Sequence, residues 1–102
     1  MAKIKLMIVD DESDLLSELK PLLERMGFAV ETAANGEQAL AVIALSAPDL
    51  IVMDVMMPHI DGREVLRRLR AANNWTPIIF RTFAWAAQDG YQWFKSLGFE
   101  LS

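Results

Sequence analysis

The sequence has no cysteine, and among its 102 residues there are only one histidine, one tyrosine, four prolines and five glycines. Without cysteine the chain can form no disulfide and no thiolate metal site. No apolar run approaches the roughly 18 residues of a membrane span, and the opening "MAKIKLMIVDD" is too short and too soon acidic for a signal peptide. We therefore expect a cytoplasmic chain that makes no membrane contact.

The length and composition indicate one globular domain that spans residues 1–102. Hydrophobic residues make up 53% of the chain and charged residues 24%, which is ordinary for a soluble domain. The net charge of −4 argues against direct binding of nucleic acid by this chain. Four arginines between residues 63 and 70 are interpreted as a solvated helix face.

Strand and helix patterns alternate along the chain. Four apolar segments have the length and pattern of strands: residues 3–9, 28–33, 49–54 and 76–82. Segments with helical spacing follow them, beginning near Ser13, Asn35, Asp61 and residue 85. Ser13 or Asp11 is expected to cap the first helix, which Pro21 should kink, and Asp61 with Glu64 predicts a capping box. The alternation predicts an α/β fold with a parallel sheet that is covered on both faces.

Polar side chains stand where three of these strands end. Asp10 and Asp11 follow the first strand, Asp54 ends the third, and Thr82 ends the fourth. In open α/β sheets ligands bind beyond the carboxyl ends of the strands, so neighbouring strands would bring these groups together. Three close carboxylates repel one another unless a cation neutralises them, and an all-oxygen ligand set suits Mg²⁺ better than zinc.

Three blocks, "IVDDE" at 8–12, "DLIVMDVMMPHIDG" at 49–62 and "TPIIFRT" at 76–82, resemble the receiver domain of two-component response regulators. The resemblance covers about residues 3–82, in order and at family spacing. It implies a flavodoxin-like, doubly wound sheet of order 2-1-3-4-5. Residues 1–82 match this pattern well, whereas residues 83–102 are divergent or truncated.

The resemblance also implies a function. Asp54 would accept a phosphoryl group from a sensor histidine kinase or phosphotransfer protein, and the protein would switch conformation toward a downstream protein effector. Asp10, Asp11, Asp54 and the main-chain carbonyl of Met56 would hold Mg²⁺, for which Mn²⁺ is a possible substitute. Thr82 would donate a hydrogen bond to the bound phosphoryl group. Such a protein assists its own phosphorylation and is not a turnover enzyme.

The chain departs from the family pattern after Thr82. The fifth strand is expected to be short or missing and the fifth helix absent, and Lys95 does not stand where the family lysine would. Strand alternation places Arg81 on the face opposite Thr82, which predicts an uncovered face or an acidic partner. The aromatic tail with Trp85 and Trp93 predicts self-association through residues 83–102.

Two other functions fit the same residues. The first is a receiver-like interaction module that is not productively phosphorylated. The second is a Mg²⁺-dependent phosphohydrolase, which is disfavoured because aspartate-based phosphatases carry a second acid two residues after the nucleophile, where this chain has Met56. His59 is interpreted as a solvated loop residue.

Overall fold

The structure is a computed structural model that describes residues 3–81. Four strands and three helices alternate along these residues. The strands are β1 (Lys5–Val9), β2 (Ala29–Ala33), β3 (Leu50–Asp54) and β4 (Ile78–Arg81). The helices are α1 (Ser13–Arg25), α2 (Gly36–Ser46) and α3 (Gly62–Ala71). None of the helices within residues 3–81 is long and apolar enough to cross a membrane.

The four strands form one parallel sheet of order β2-β1-β3-β4. This confirms the α/β class and the first four strands of the predicted flavodoxin-like order. The central strands β1 and β3 are almost continuously apolar because both of their faces are covered. The predicted fourth helix, fifth strand and tail contact lie outside the described residues.

The two faces of the sheet carry separate apolar clusters. One face packs against α1, and its cluster comprises Leu6, Ile8, Leu16, Leu19, Leu23, Val30 and Val52. The other face packs against α2 and α3, and its cluster includes Met7, Val9, Ile43, Ile51, Met53, Val65 and Leu69. Alternate residues of β1 therefore point into different clusters, as the period of a strand requires. The two clusters fix the register of β1 and β3, and with it the residues at which these strands end.

Two helix starts differ from what the sequence predicts. Glu12 is the N-cap of α1 and forms no side-chain cap bond, so the prediction that Ser13 or Asp11 caps this helix is wrong. Instead, the Glu12 N–H donates to Asp10 Oδ1 at 2.8 Å, because the buried Asp10 side chain turns back toward the chain. The helix then continues through Pro21 to Arg25.

The start of α3 is predicted in part. Asp61 is its N-cap and accepts a hydrogen bond from the Glu64 N–H at 2.9 Å. The reciprocal half of the capping box is not formed, since the Glu64 carboxylate accepts hydrogen bonds from Arg67 and Arg68 on the next turn. These arginines form part of the predicted exposed face of α3.

Candidate functional site

The carboxyl ends of β1 and β3 bring the predicted acidic residues together. Val9 pairs with Met53 in the parallel ladder, so Asp10 and Asp54 follow at adjacent places in neighbouring strands. The Asp10 N–H donates to the Ala33 carbonyl at 3.1 Å, which extends the ladder to β2. One carboxylate oxygen from each of Asp10, Asp11 and Asp54 lies within 4.8 Å of the others. The predicted convergence of the three acids is therefore confirmed.

The three carboxylates differ in environment. Asp10 is 1% exposed, Asp54 is half-buried and Asp11 is exposed. Asp10 and Asp54 share one local arrangement, in which Oδ1 accepts a hydrogen bond from the main-chain N–H two residues further on. The donors are Glu12 at 2.8 Å and Met56 at 3.2 Å. This arrangement holds each carboxylate in place and leaves its Oδ2 toward the space between the strands.

Arg81 lies in that space. It is the last residue of β4, pairs in register with Asp54, and is 3% exposed. Its Nη2 forms an ion pair with Asp10 Oδ2 and lies 3.5 Å from Asp54 Oδ2. The prediction that Arg81 lies on an uncovered face or meets an acidic partner is wrong, because the acids that it meets belong to its own domain.

The strand alternation itself is correct, since Arg81 lies two residues after Ile79 and so on the same face of the sheet as Asp54, its partner in register. The prediction failed because it did not pair Arg81 with the acids on that face. The neighbouring residues follow the alternation: Ile78 and Phe80 pack on the cluster beneath α2 and α3, and Ile79 packs on the cluster beneath α1. The signal that could have located Arg81 is a single charge in the apolar run "PIIFR" directly beside a predicted cluster of acids. A buried cation of this kind needs a carboxylate partner.

Burial and local charge set the protonation of the site. Burial raises the pKa of the Asp54 carboxyl, the Met56 N–H opposes that shift, and the nearby Asp11 carboxylate adds to it. Burial also lowers the pKa of Arg81 to about 10, so its guanidinium remains charged at neutral pH. Within residues 3–81, the Arg81 guanidinium contacts two of the three carboxylates, so these four side chains carry more acids than cations.

The donor set fits a hard divalent cation. Every side-chain donor in the cluster is a carboxylate oxygen, which is the ligand type of Mg²⁺ and Mn²⁺. Two of the three carboxylates already contact the Arg81 guanidinium, so a metal would have to share or replace that contact. The role of the Met56 carbonyl stays a prediction, and Thr82 lies outside the described residues.

The loop from β3 to α3 packs against the main chain of Asp54. Gly62, the first residue of α3, donates its N–H to the Val55 carbonyl at 2.9 Å. A Cβ at Gly62 would lie 2.6 Å from the Asp54 carbonyl oxygen, so the helix start packs directly on the main chain of the candidate acceptor. The absence of a side chain at Gly62 therefore allows the start of α3 to approach the end of β3.

Comparison with known proteins identifies a common family. The pattern of the response regulator receiver domain matches residues 6–99. The alkaline phosphatase synthesis transcriptional regulatory protein PhoP of Bacillus subtilis is 43% identical over 97 residues, which cover 95% of this chain and 38% of that protein. Response regulator MprA of Mycolicibacterium vanbaalenii is 40% identical over 79 residues, 78% of this chain and 34% of that protein. The chain thus spans about a third of the length of the curated relatives that it matches.

Solved structures agree with this result. The receiver domain of the Francisella response regulator 1452 matches with a TM-score of 0.75 and 30% identity, over 94% of this chain and 77% of that one. The chemotaxis response regulator CheY4 of Vibrio cholerae matches with a TM-score of 0.71 and 33% identity, over 78% of this chain and 68% of that one. The structural likeness extends across the sheet whose strand ends carry the three acids.

Proposed function

This chain belongs to the response regulator receiver domain family, and on that premise we propose that Asp54 accepts a phosphoryl group from a histidine kinase or phosphotransfer protein. The observation that carries the proposal is the convergence of Asp10, Asp11 and Asp54 at the ends of adjacent parallel strands. Asp54 is the acid suited to the acceptor role, because it ends β3 and is neither sealed in the core like Asp10 nor fully solvated like Asp11.

The Asp54 carboxylate is oriented by a main-chain hydrogen bond for attack on a phosphoryl donor. The Met56 N–H donates to Oδ1 and fixes the orientation of the carboxylate. One carboxylate oxygen would form the bond to phosphorus while the P–N bond of the donor phosphohistidine breaks and the imidazole leaves. A carboxylate can form such a covalent acyl phosphate when it is aligned with the donor. Asp10, Asp11 and Asp54, with the Met56 carbonyl, would hold Mg²⁺. When bound, this ion would neutralise charge on the phosphoryl oxygens.

The new dianionic group on Asp54 would change the balance of charge at the strand ends and so shift the domain between two conformations. We assign the downstream step to a protein effector or to a further part of a longer protein, since the relatives are about three times longer and PhoP is named a transcriptional regulatory protein. In this role the chain is a phosphoacceptor and not a turnover enzyme.

Labelling with a small phosphoryl donor tests the proposal. The full chain is incubated with acetyl phosphate and Mg²⁺, and the bound phosphate is counted by intact-mass spectrometry and located by peptide mapping. We expect one hydroxylamine-sensitive phosphoryl group on Asp54, none in Asp54→Asn, and none when the metal is chelated. Asp49→Asn is a matched control, because Asp49 stands at the opposite end of β3, where its Oδ2 accepts the Lys5 N–H at 2.8 Å.

Two results would contradict the proposal. Labelling that persists in Asp54→Asn, or that maps to His59, would show that another residue accepts the phosphoryl group. Absence of labelling with both acetyl phosphate and a histidine kinase would instead indicate an interaction module with the receiver fold.

A further inference from the structure

Arg81 and a metal ion would need the same two oxygen atoms. Oδ1 of Asp10 and Oδ1 of Asp54 each accept a hydrogen bond from a main-chain N–H, whereas Oδ2 of each residue faces the Arg81 guanidinium. A single nitrogen, Arg81 Nη2, contacts both of these Oδ2 atoms. The guanidinium therefore contacts two of the three carboxylates that would hold a metal ion.

The burial of this ion pair makes the contact costly to lose. Asp10 is 1% exposed and Arg81 is 3% exposed, so water can do little to solvate either charge if the other is removed. Opposite charges in such surroundings attract more strongly than on the surface, and an unpaired buried charge is strongly disfavoured. Asp11, the third acid, is exposed and is not among the ion-pair partners of Arg81.

We propose that Arg81 is a built-in counter-cation that competes with the divalent metal for Oδ2 of Asp10 and Asp54. This inference rests on the proposed function, because it concerns the metal site of the receiver. In the metal-free protein Arg81 neutralises part of the acidic cluster. Metal binding then requires the guanidinium to withdraw from at least one of the two oxygens, so the protein binds metal more weakly than its three carboxylates alone would.

The size of the effect follows from the fraction of molecules in which the carboxylates are free. If the ion pair leaves at most about a tenth of the molecules with both Oδ2 atoms available, the apparent affinity for metal is reduced about tenfold or more. Removal of the guanidinium should therefore raise the apparent affinity for metal by the same factor. Arg81→Met retains much of the length and the apolar stem of arginine and removes its charge.

Titration of the full chain with Mn²⁺, with free Mn²⁺ followed by electron paramagnetic resonance, measures this affinity directly and needs no phosphorylation. We expect Arg81→Met to bind Mn²⁺ about tenfold or more tightly than the wild type. Arg25→Met is the matched control, because it removes the same charge from the last turn of α1, at the opposite end of the sheet. Its affinity should equal that of the wild type.

The controls distinguish failure of this inference from failure of the proposed function. If wild type and Arg81→Met bind Mn²⁺ equally, or if Arg25→Met tightens binding as much, Arg81 does not compete and the inference is overturned. Loss of binding in Asp11→Asn would then show that the metal site itself still stands. If neither wild type nor Arg81→Met binds Mn²⁺, both the inference and the Mg²⁺ dependence of the proposed function are overturned.

A second measurement uses the wild type alone, in case Arg81→Met does not fold. The ¹⁵N–¹H signals of the Arg81 guanidinium should show hindered rotation without metal, as expected for a buried ion pair, and should shift as Mg²⁺ is added. Guanidinium signals that stay unchanged while the Asp11 amide signal shifts to saturation would overturn the inference. Signals of a freely rotating guanidinium in the metal-free protein would also overturn it.

Discussion

Gly62→Ala tests whether the start of α3 supports the candidate acceptor. The added Cβ would lie 2.6 Å from the Asp54 carbonyl oxygen, 2.9 Å from a Phe80 ring carbon and 3.1 Å from Val55 Cα. Two of these three atoms belong to the main chain, which cannot rotate away as a side chain can. The loop that follows β3 must therefore move, and Asp54 must move with it.

The stability change is the difference between two terms. Overpacking of a tight site costs about 1–3 kcal/mol. Replacing glycine by alanine, at a backbone conformation that alanine can adopt, stabilises the folded state by about 0.4–1 kcal/mol, because it reduces the conformational entropy of the unfolded chain. We therefore expect Gly62→Ala to reduce the free energy of unfolding by about 1.3 kcal/mol, the difference between the middles of the two ranges, and by about 2.6 kcal/mol at most. Each kcal/mol lost should lower the melting temperature by roughly 4–8 °C.

Urea unfolding followed by circular dichroism measures the stability, and Mn²⁺ titration measures the site. Gly27→Ala is the control, because Gly27 has a φ of +101° with nothing within 4 Å of the added Cβ, at the end of α1 remote from the acids. It should lose stability through backbone strain and keep its affinity for Mn²⁺, whereas Gly62→Ala should lose both. A Gly62→Ala protein with wild-type stability and wild-type affinity would refute the reasoning.

Two further predictions concern carboxylates outside and inside the site. The hydrogen bonds of Arg67 and Arg68 lower the pKa of Glu64 to about 2, so Glu64 stabilises the folded state above its unfolded pKa of about 4.3 and loses that effect as the pH falls toward 2. Glu64→Gln should therefore lower the urea midpoint at pH 6 and match the wild type near pH 2; an equal difference at both values would contradict this. Burial raises the pKa of Asp54, so its ionised form opposes folding above that pKa, and Asp54→Asn without metal should raise the urea midpoint at pH 7. This increase in the urea midpoint should vanish at pH values where the wild-type Asp54 carboxyl is protonated. A lower midpoint for Asp54→Asn than for the wild type at pH 7 would show that the Arg81 contact outweighs desolvation.

The order of the sheet was implied by the resemblance to receiver domains, and the convergence of the three acids was predictable from the strand ends once those strands are neighbours. The apolar runs of β1 and β3 end abruptly on Asp10 and Asp54, and parallel strands of an α/β sheet present their carboxyl ends at one edge. These inferences depend on where strands end. Strand ends are fixed by the two apolar clusters, and those clusters are visible as patterns in the sequence.

The features that the sequence did not predict depend on pairing between separate strands and on competition between hydrogen-bond partners. Arg81 pairs in register with Asp54 and so meets acids of its own domain, which the sequence prediction had not considered as its partners. At the start of α1 several residues were suitable caps, but Asp10 Oδ1 takes the Glu12 N–H and the helix begins without a side-chain cap. Neither outcome follows from local propensity, because both are decided by contacts between separate segments.

The same hydrogen bonds that hold the acids in place also create their need for a cation. Each main-chain N–H bound to Oδ1 of Asp10 or Asp54 favours the charged carboxylate, and Oδ2 of each residue contacts Arg81. A domain built this way must neutralise the site whether or not metal is present, since buried like charges at this separation repel. A residue of the chain can do so permanently, but only by occupying the oxygens that the metal uses. Arg81 therefore connects the stability of the metal-free fold to the affinity of its site, and any change that strengthens the Asp10–Arg81 pair should weaken metal binding.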